Sequence, residues 1–156
     1  MPRMALTAIE TAAIEQARAA PMLAQVERWV AVNSGTRNLS GLATMAEMLA
    51  SAFAVLPGEL TLVDPAPVET VDSKGDVLAQ AHGRHLHLRV RPQAPVQMLF
   101  TGHMDTVFPA DHPFQTAAWL PDGRLNAPGA ADMKGGLSLM LAALRALEAT
   151  PAAPRL

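Results

Sequence analysis

LFTGHMDTVFP, residues 99–109, runs from an apolar stretch into a histidine and an aspartate separated by one methionine. Residues 95–101, PVQMLFT, read as a near-continuously apolar strand and the best candidate for a central one. His103 and Asp105 then stand two residues apart, on the same side, where the chain leaves that strand. Neither gains from burial without a partner, so the placement calls for one. In an open α/β sheet, functional groups gather at the carboxyl ends of strands, which is where this pair would sit. Taken alone, a His-x-Asp pattern is short enough to arise by chance, and a hydrogen-bonded strand-end histidine is the plainer explanation.

A second stretch, NAPGAADMKGG at residues 126–136, holds one carboxylate, Asp132, between Gly129 and Gly135-Gly136 at the start of an apolar-periodic segment. An aspartate capping a helix N-terminus is the ordinary reading. Two glycines in the first turn fit it poorly, because glycine there costs about 1 kcal/mol relative to alanine. Close approach of the backbone to another group accounts for them better. Together His103, Asp105 and Asp132 are the residue types that a zinc site without cysteine needs: an imidazole nitrogen, a carboxylate able to bridge two cations, and a second carboxylate able to orient the ring.

The flanking sequence places these stretches in a layered domain. Thr7 and Glu10 have capping-box spacing ahead of a helix over about residues 7–20, and Pro21 opens a second helix carrying Met22, Val26, Trp29 and Val30 on one stripe. A third fits residues 40–55, ended by Pro57-Gly58. Residues 59–63 then read as a strand. Residues 84–90, RHLHLRV, alternate strictly, and the RPQA stretch that follows suggests a hairpin into residues 95–101. Pro121-Asp122-Gly123 forms a turn, and Leu137, Met140, Leu141, Leu144 and Leu147 trace a helix over 133–149. The expected class is α/β, with N-terminal helices, a mixed sheet and a covering C-terminal helix.

Composition bounds the function. At 156 residues, half of them hydrophobic, the chain (residues 1–156) has the length and core of one domain. The net charge is -2 and the twelve Lys and Arg residues are scattered, so no basic footprint for nucleic acid or anionic lipid is present. No cysteine is available for a disulfide or a thiolate ligand. Glu10, Thr11, Glu15 and Gln16 interrupt any signal-like apolar run at the N-terminus, and no run reaches the roughly 20 apolar residues of a membrane-spanning helix, so a cytoplasmic chain without membrane partners is expected. His85 and His87 read as the polar face of a half-buried hairpin, His82 and His112 as loop residues, and the nine methionines as core gap-fillers.

The pair GHMDTVFP and APGAADMKGG resembles the N-terminal part of the catalytic domain of the M20 metallopeptidase family, whose members include glutamate carboxypeptidase, acetylornithine deacetylase and succinyl-diaminopimelate desuccinylase. The wording HMDTVFP, the DG turn, ADMKGG and the upstream WVAVNSGTRNLSGL are most similar to the glutamate carboxypeptidase branch. The resemblance implies that His103 binds one Zn2+, that Asp132 bridges two, and that Asp105 holds the His103 ring and helps complete the active site. Two zinc ions serve a complete site, with Co2+ or Mn2+ as alternatives. It also implies a cis peptide after the bridging aspartate, here Asp132-Met133. Asn126-Ala127-Pro128-Gly129 departs from the Gly-Pro-Gly that relatives usually show.

The family mechanism requires a general-base glutamate with an adjacent ligand glutamate after the next strand, then a further carboxylate, a final histidine and a lid domain that also dimerises. None of these is expected within the 156 residues, and Glu148 stands at the wrong end of the last helix to substitute. The expectation is therefore a zinc-dependent amide or peptide hydrolase by ancestry, of carboxypeptidase or deacylase type, inactive as this chain alone. A small peptide or N-acyl amino acid would be the substrate of the complete enzyme, and a homodimer would form only with the lid present. The rival reading is a non-catalytic α/β interaction module or relic. The first reading requires the tips of His103 and Asp132 to lie within about 8 Å, since ligand bonds are only about 2 Å.

Overall fold

A computed structural model describes residues 5–156. Helix α1, Ala8–Arg18, begins where expected. The Thr7 hydroxyl accepts the Glu10 N–H at 3.2 Å, and the Glu10 carboxylate takes the Thr7 N–H at 2.7 Å, so two end groups satisfy each other. Helix α2, Met22–Val30, follows Pro21 and buries Trp29 and Val30. Helix α3, Leu39–Phe53, starts at the cap Asn38, whose side chain accepts the Gly41 N–H at 3.1 Å. Its Leu42, Met45, Ala46, Leu49 and Phe53 recur at helical spacing and are all buried.

The strands pair locally. β1, Glu59–Val63, runs antiparallel to β4, His85–Arg89, with Leu60 opposite Leu88 and Leu62 opposite Leu86. The leucines of both strands turn toward the helices, while His85, His87 and Arg89 are exposed as the alternation predicts. Between them β2, Val68–Val71, and β3, Val77–Gln80, form a hairpin whose turn is stapled by the Asp72 carboxylate to the N–H groups of Lys74 and Asp76. β5, Ala118–Trp119, and β6, Leu125–Asn126, flank the Pro121-Asp122-Gly123 turn. An irregular wide turn, Ala130–Lys134, leads into α4, Gly135–Glu148.

The α/β class stands, but the strands form three separate two-stranded ladders. Trp29, Met45, Leu49, Phe53, Leu56, Leu137 and Leu141 make one core between α2, α3 and α4, and the β1/β4 leucines lie against it. Among the described residues no helix is long and apolar enough to cross a membrane.

The expected hairpin between residues 84–90 and 95–101 does not form. β4 pairs with β1, and Arg91 takes a left-handed conformation (φ 41°) that turns the chain aside. Its guanidinium meets the Glu148 carboxylate, and its Nε donates to the Leu156 carbonyl at 2.9 Å. Residues 95–101 are not a paired strand. The Val96 N–H donates to Arg155, and from Met98 to Gly102 no backbone–backbone hydrogen bond is made among the described residues. Leu99 is 89% exposed. A cavity of about 880 Å³ separates this segment from β4 and from the apolar faces of α3 and α4, lined by Leu49, Phe53, Leu86, Met140 and Leu144. The apolar run is a strand in sequence pattern without a neighbour to bond.

Candidate metal centre

The exit of this unpaired segment is held by the turn between α2 and α3. Ser34, fully buried, donates its hydroxyl to the Met104 carbonyl at 2.7 Å, and its own carbonyl accepts the Thr106 N–H at 2.8 Å. Thr36 N–H returns to the Thr106 carbonyl at 3.0 Å, so Gly35 and Thr106 bridge in parallel. Gly35 is required: a Cβ there would lie 2.5 Å from the Phe108 carbonyl oxygen. Asn33 completes the clamp, its Nδ2 donating to Phe108 O at 3.1 Å and to Gln115 Oε1 at 2.8 Å. These contacts fix the loop that carries His103 and Asp105.

The second segment of the site is the turn Ala130–Lys134. Gly129 sits at positive φ (73°), and a side chain on it would strike Thr106 Cγ2 at 2.6 Å, so the two loops pack backbone against side chain. The Asp132–Met133 peptide is cis, as the resemblance implies. Asp132 does not cap α4: no side chain closes that helix N-terminus. Gly135 is needed because its Cβ would sit 2.6 Å from the Ala130 carbonyl oxygen of the same turn. Lys134, only 1% exposed, sends its amine back to the Val32 carbonyl at 2.8 Å, and burial lowers its pKa from 10.5 to about 8.

The three predicted residues meet. His103 Nε2 lies 2.9 Å from Asp132 Oδ1, and Nδ1 lies 3.1 Å from Asp105 Oδ1 and 3.0 Å from the Asp105 carbonyl. The second Asp105 oxygen accepts the Thr36 hydroxyl at 2.6 Å. Partial burial pulls the imidazole pKa down. The hydrogen bond to Asp132, the Asp105 carbonyl and the charges of both carboxylates outweigh it, so the pKa is raised above its usual 6.5. The Asp132 side chain is 81% exposed and open to a further ligand. His85 and His87 stack on each other outside the site, and His112 accepts the Phe114 N–H in the loop after it.

Residues 99–155 match the family described as Peptidase family M20/M25/M40. That segment is similar to the M20 peptidases. A 56-residue segment is 48% identical to Succinyl-diaminopimelate desuccinylase 2 of Shewanella loihica, covering 33% of this chain and 15% of that protein. The chain thus spans a small part of the length of the relative it matches.

Zinc would fit the chemistry of the His103–Asp132 pair but would not find a full shell there. Zinc takes four ligands, and two of them at about 2.1 Å in tetrahedral geometry lie about 3.4 Å apart, so the His103–Asp132 contact would open by about 0.5 Å around a shared ion. Among the described residues no group of three or more His, Asp or Glu side chains is arranged around one metal. Asp105 is spoken for on the far side of the ring. Sequence reasoning singled out His103, Asp105 and Asp132 and missed Thr36, Ser34 and Lys134. The NSGT turn, with three hydrogen-bonding side chains around a glycine, was the available signal.

Proposed function

We propose that this chain contributes the first ligands of a zinc-dependent amide hydrolase site. In this reading His103 Nε2 binds one Zn2+ and the Asp132 carboxylate bridges two. Asp105 keeps the proton on Nδ1 so that Nε2 presents a lone pair. When bound, such ions polarise an amide carbonyl and lower the pKa of a shared water. The observation that carries the reading is the convergence at His103, whose two nitrogens each face a carboxylate, one of them otherwise open to solvent.

The desuccinylase relative supports a deacylase over a carboxypeptidase. An N-acyl amino acid is then the substrate class, with the amide beside a carboxylate-bearing group. With two donors among the described residues, the 156 residues alone hold zinc weakly and do not turn over substrate. Calorimetric titration with Zn2+ tests the site: binding should be weak in the wild type and absent in the His103→Ala, Asp132→Ala double variant. Equal binding by both overturns metal ligation.

A further inference from the structure

We propose that Thr36 is a positioning residue of this site: its hydroxyl fixes the Asp105 carboxylate, and through it decides which nitrogen of His103 carries the proton. The geometry is a chain of three groups from two distant segments. Thr36 Oγ1 donates to Asp105 Oδ2 at 2.6 Å, which leaves Oδ1, 3.1 Å from His103 Nδ1, as the acceptor for a ring N–H. The same hydroxyl lies 3.2 Å from the Thr106 carbonyl, a longer alternative acceptor. A hydroxyl has one proton to give, and a bond to an ionised oxygen is the stronger and shorter one, so the carboxylate receives it.

Without that donor Asp105 can rotate about its terminal torsion, which is soft for a carboxylate, and its aim at Nδ1 is lost. The carbonyl of Asp105 at 3.0 Å still faces Nδ1. What Thr36 contributes is therefore the charged half of the acceptor pair. Ser34 and Gly35 hold the loop backbone, whereas Thr36 acts on a side chain and is itself exposed, so its replacement spares the clamp. For zinc, an Nδ1–H tautomer presents Nε2 as the ligand atom, a consequence that rests on the metal-site reading above. The tautomer itself does not depend on that reading.

The test uses the metal-free chain with Asp132→Ala, which removes the competing acceptor at Nε2. The imidazole tautomer is read from two-bond 1H–15N correlations at a pH where the ring is neutral. With Thr36 present the Nδ1–H form should dominate. Thr36→Val and Thr36→Ala should each lower the Nδ1–H to Nε2–H ratio about fivefold, the equivalent of one hydrogen bond of about 1 kcal/mol, and Thr36→Ser should restore it. An unchanged ratio in both variants, with the Ser34 and Thr106 amide shifts intact, overturns the proposal. Zinc titration of Thr36→Val in the Asp132-containing chain separates the two readings. Weaker binding, by about tenfold or more, supports both. A wild type that binds no zinc overturns the metal site and leaves the tautomer result standing.

Discussion

His103 Nε2 and Asp132 Oδ1 are 2.9 Å apart although 29 positions separate them in the chain. The contact is made by two loop exits whose geometry is set elsewhere: one by the Ser34–Thr36 clamp, the other by the wide turn that precedes α4. Stability of the site therefore depends on residues that touch neither side chain.

Lys134 is one of them. Its stem fills the space under the turn and its amine satisfies the Val32 carbonyl at 2.8 Å. Lys134→Ala should lower stability by about 2–4 kcal/mol in a urea melt, from a void and an unpaired carbonyl. Lys134→Met keeps most of the volume and removes a charge that burial disfavours, so it should cost less. Equal losses would show that the stem is not what the fold needs.

The first turn of α1 should respond to acid. The hydrogen bonds from Thr7 hold the Glu10 carboxyl below its ordinary 4.5. A carboxyl lowered in the folded state stabilises above its unfolded pKa and ceases to as pH falls through the folded one. Amide exchange of residues 8–11 should accelerate as pH drops below about 4.5 relative to the intrinsic rate, and Thr7→Ala, which removes the hydroxyl but keeps the backbone N–H bond to Glu10, should weaken that dependence. A pH-independent protection factor in the wild type would contradict it.

Gly41 presents a contest between two magnitudes. Alanine in a helix gains about 1 kcal/mol over glycine, but a Cβ at Gly41 would lie 1.9 Å from the Asn33 carbonyl oxygen, which is backbone and cannot step aside. The clash should win, and Gly41→Ala should destabilise by about 1–3 kcal/mol. It should also disturb the Gln115 side-chain amide, which bonds to Asn33. A more stable variant would refute the packing described.

The segment from Met98 to Gly102 should exchange its amides at nearly the rate of an unstructured peptide, since they bond to nothing in the backbone. The amides of Leu60 and Leu86, within the β1/β4 ladder, should be protected. Leu99→Lys should raise solubility, read by light scattering, and leave the melting temperature unchanged, because the leucine is 89% exposed. A large loss of stability would mean that Leu99 is buried in solution.

Much of this was legible locally. The Thr7–Glu10 box, the α3 stripe and the alternation of residues 84–90 are patterns of three, four or two residues, and local hydrogen bonds or a single pleat turn such patterns into structure. The β2/β3 hairpin was missed because its strands are exposed at every position but Gln80 and leave no alternation to read. Asp132 was legible as a misfit: glycines crowded around it where a simple cap has no use for them.

By itself the amino-acid sequence determined the helices and the β1 and β4 strands, because each follows from neighbours a few bonds away. Only the tertiary structure decided that β4 pairs with β1 and not with residues 95–101, that Thr36 reaches Asp105, and that Asp132 faces His103. Those are choices among distant partners. A backbone edge or a carboxylate carries no mark of which one it will meet until the core between α2, α3 and α4 has set the distances.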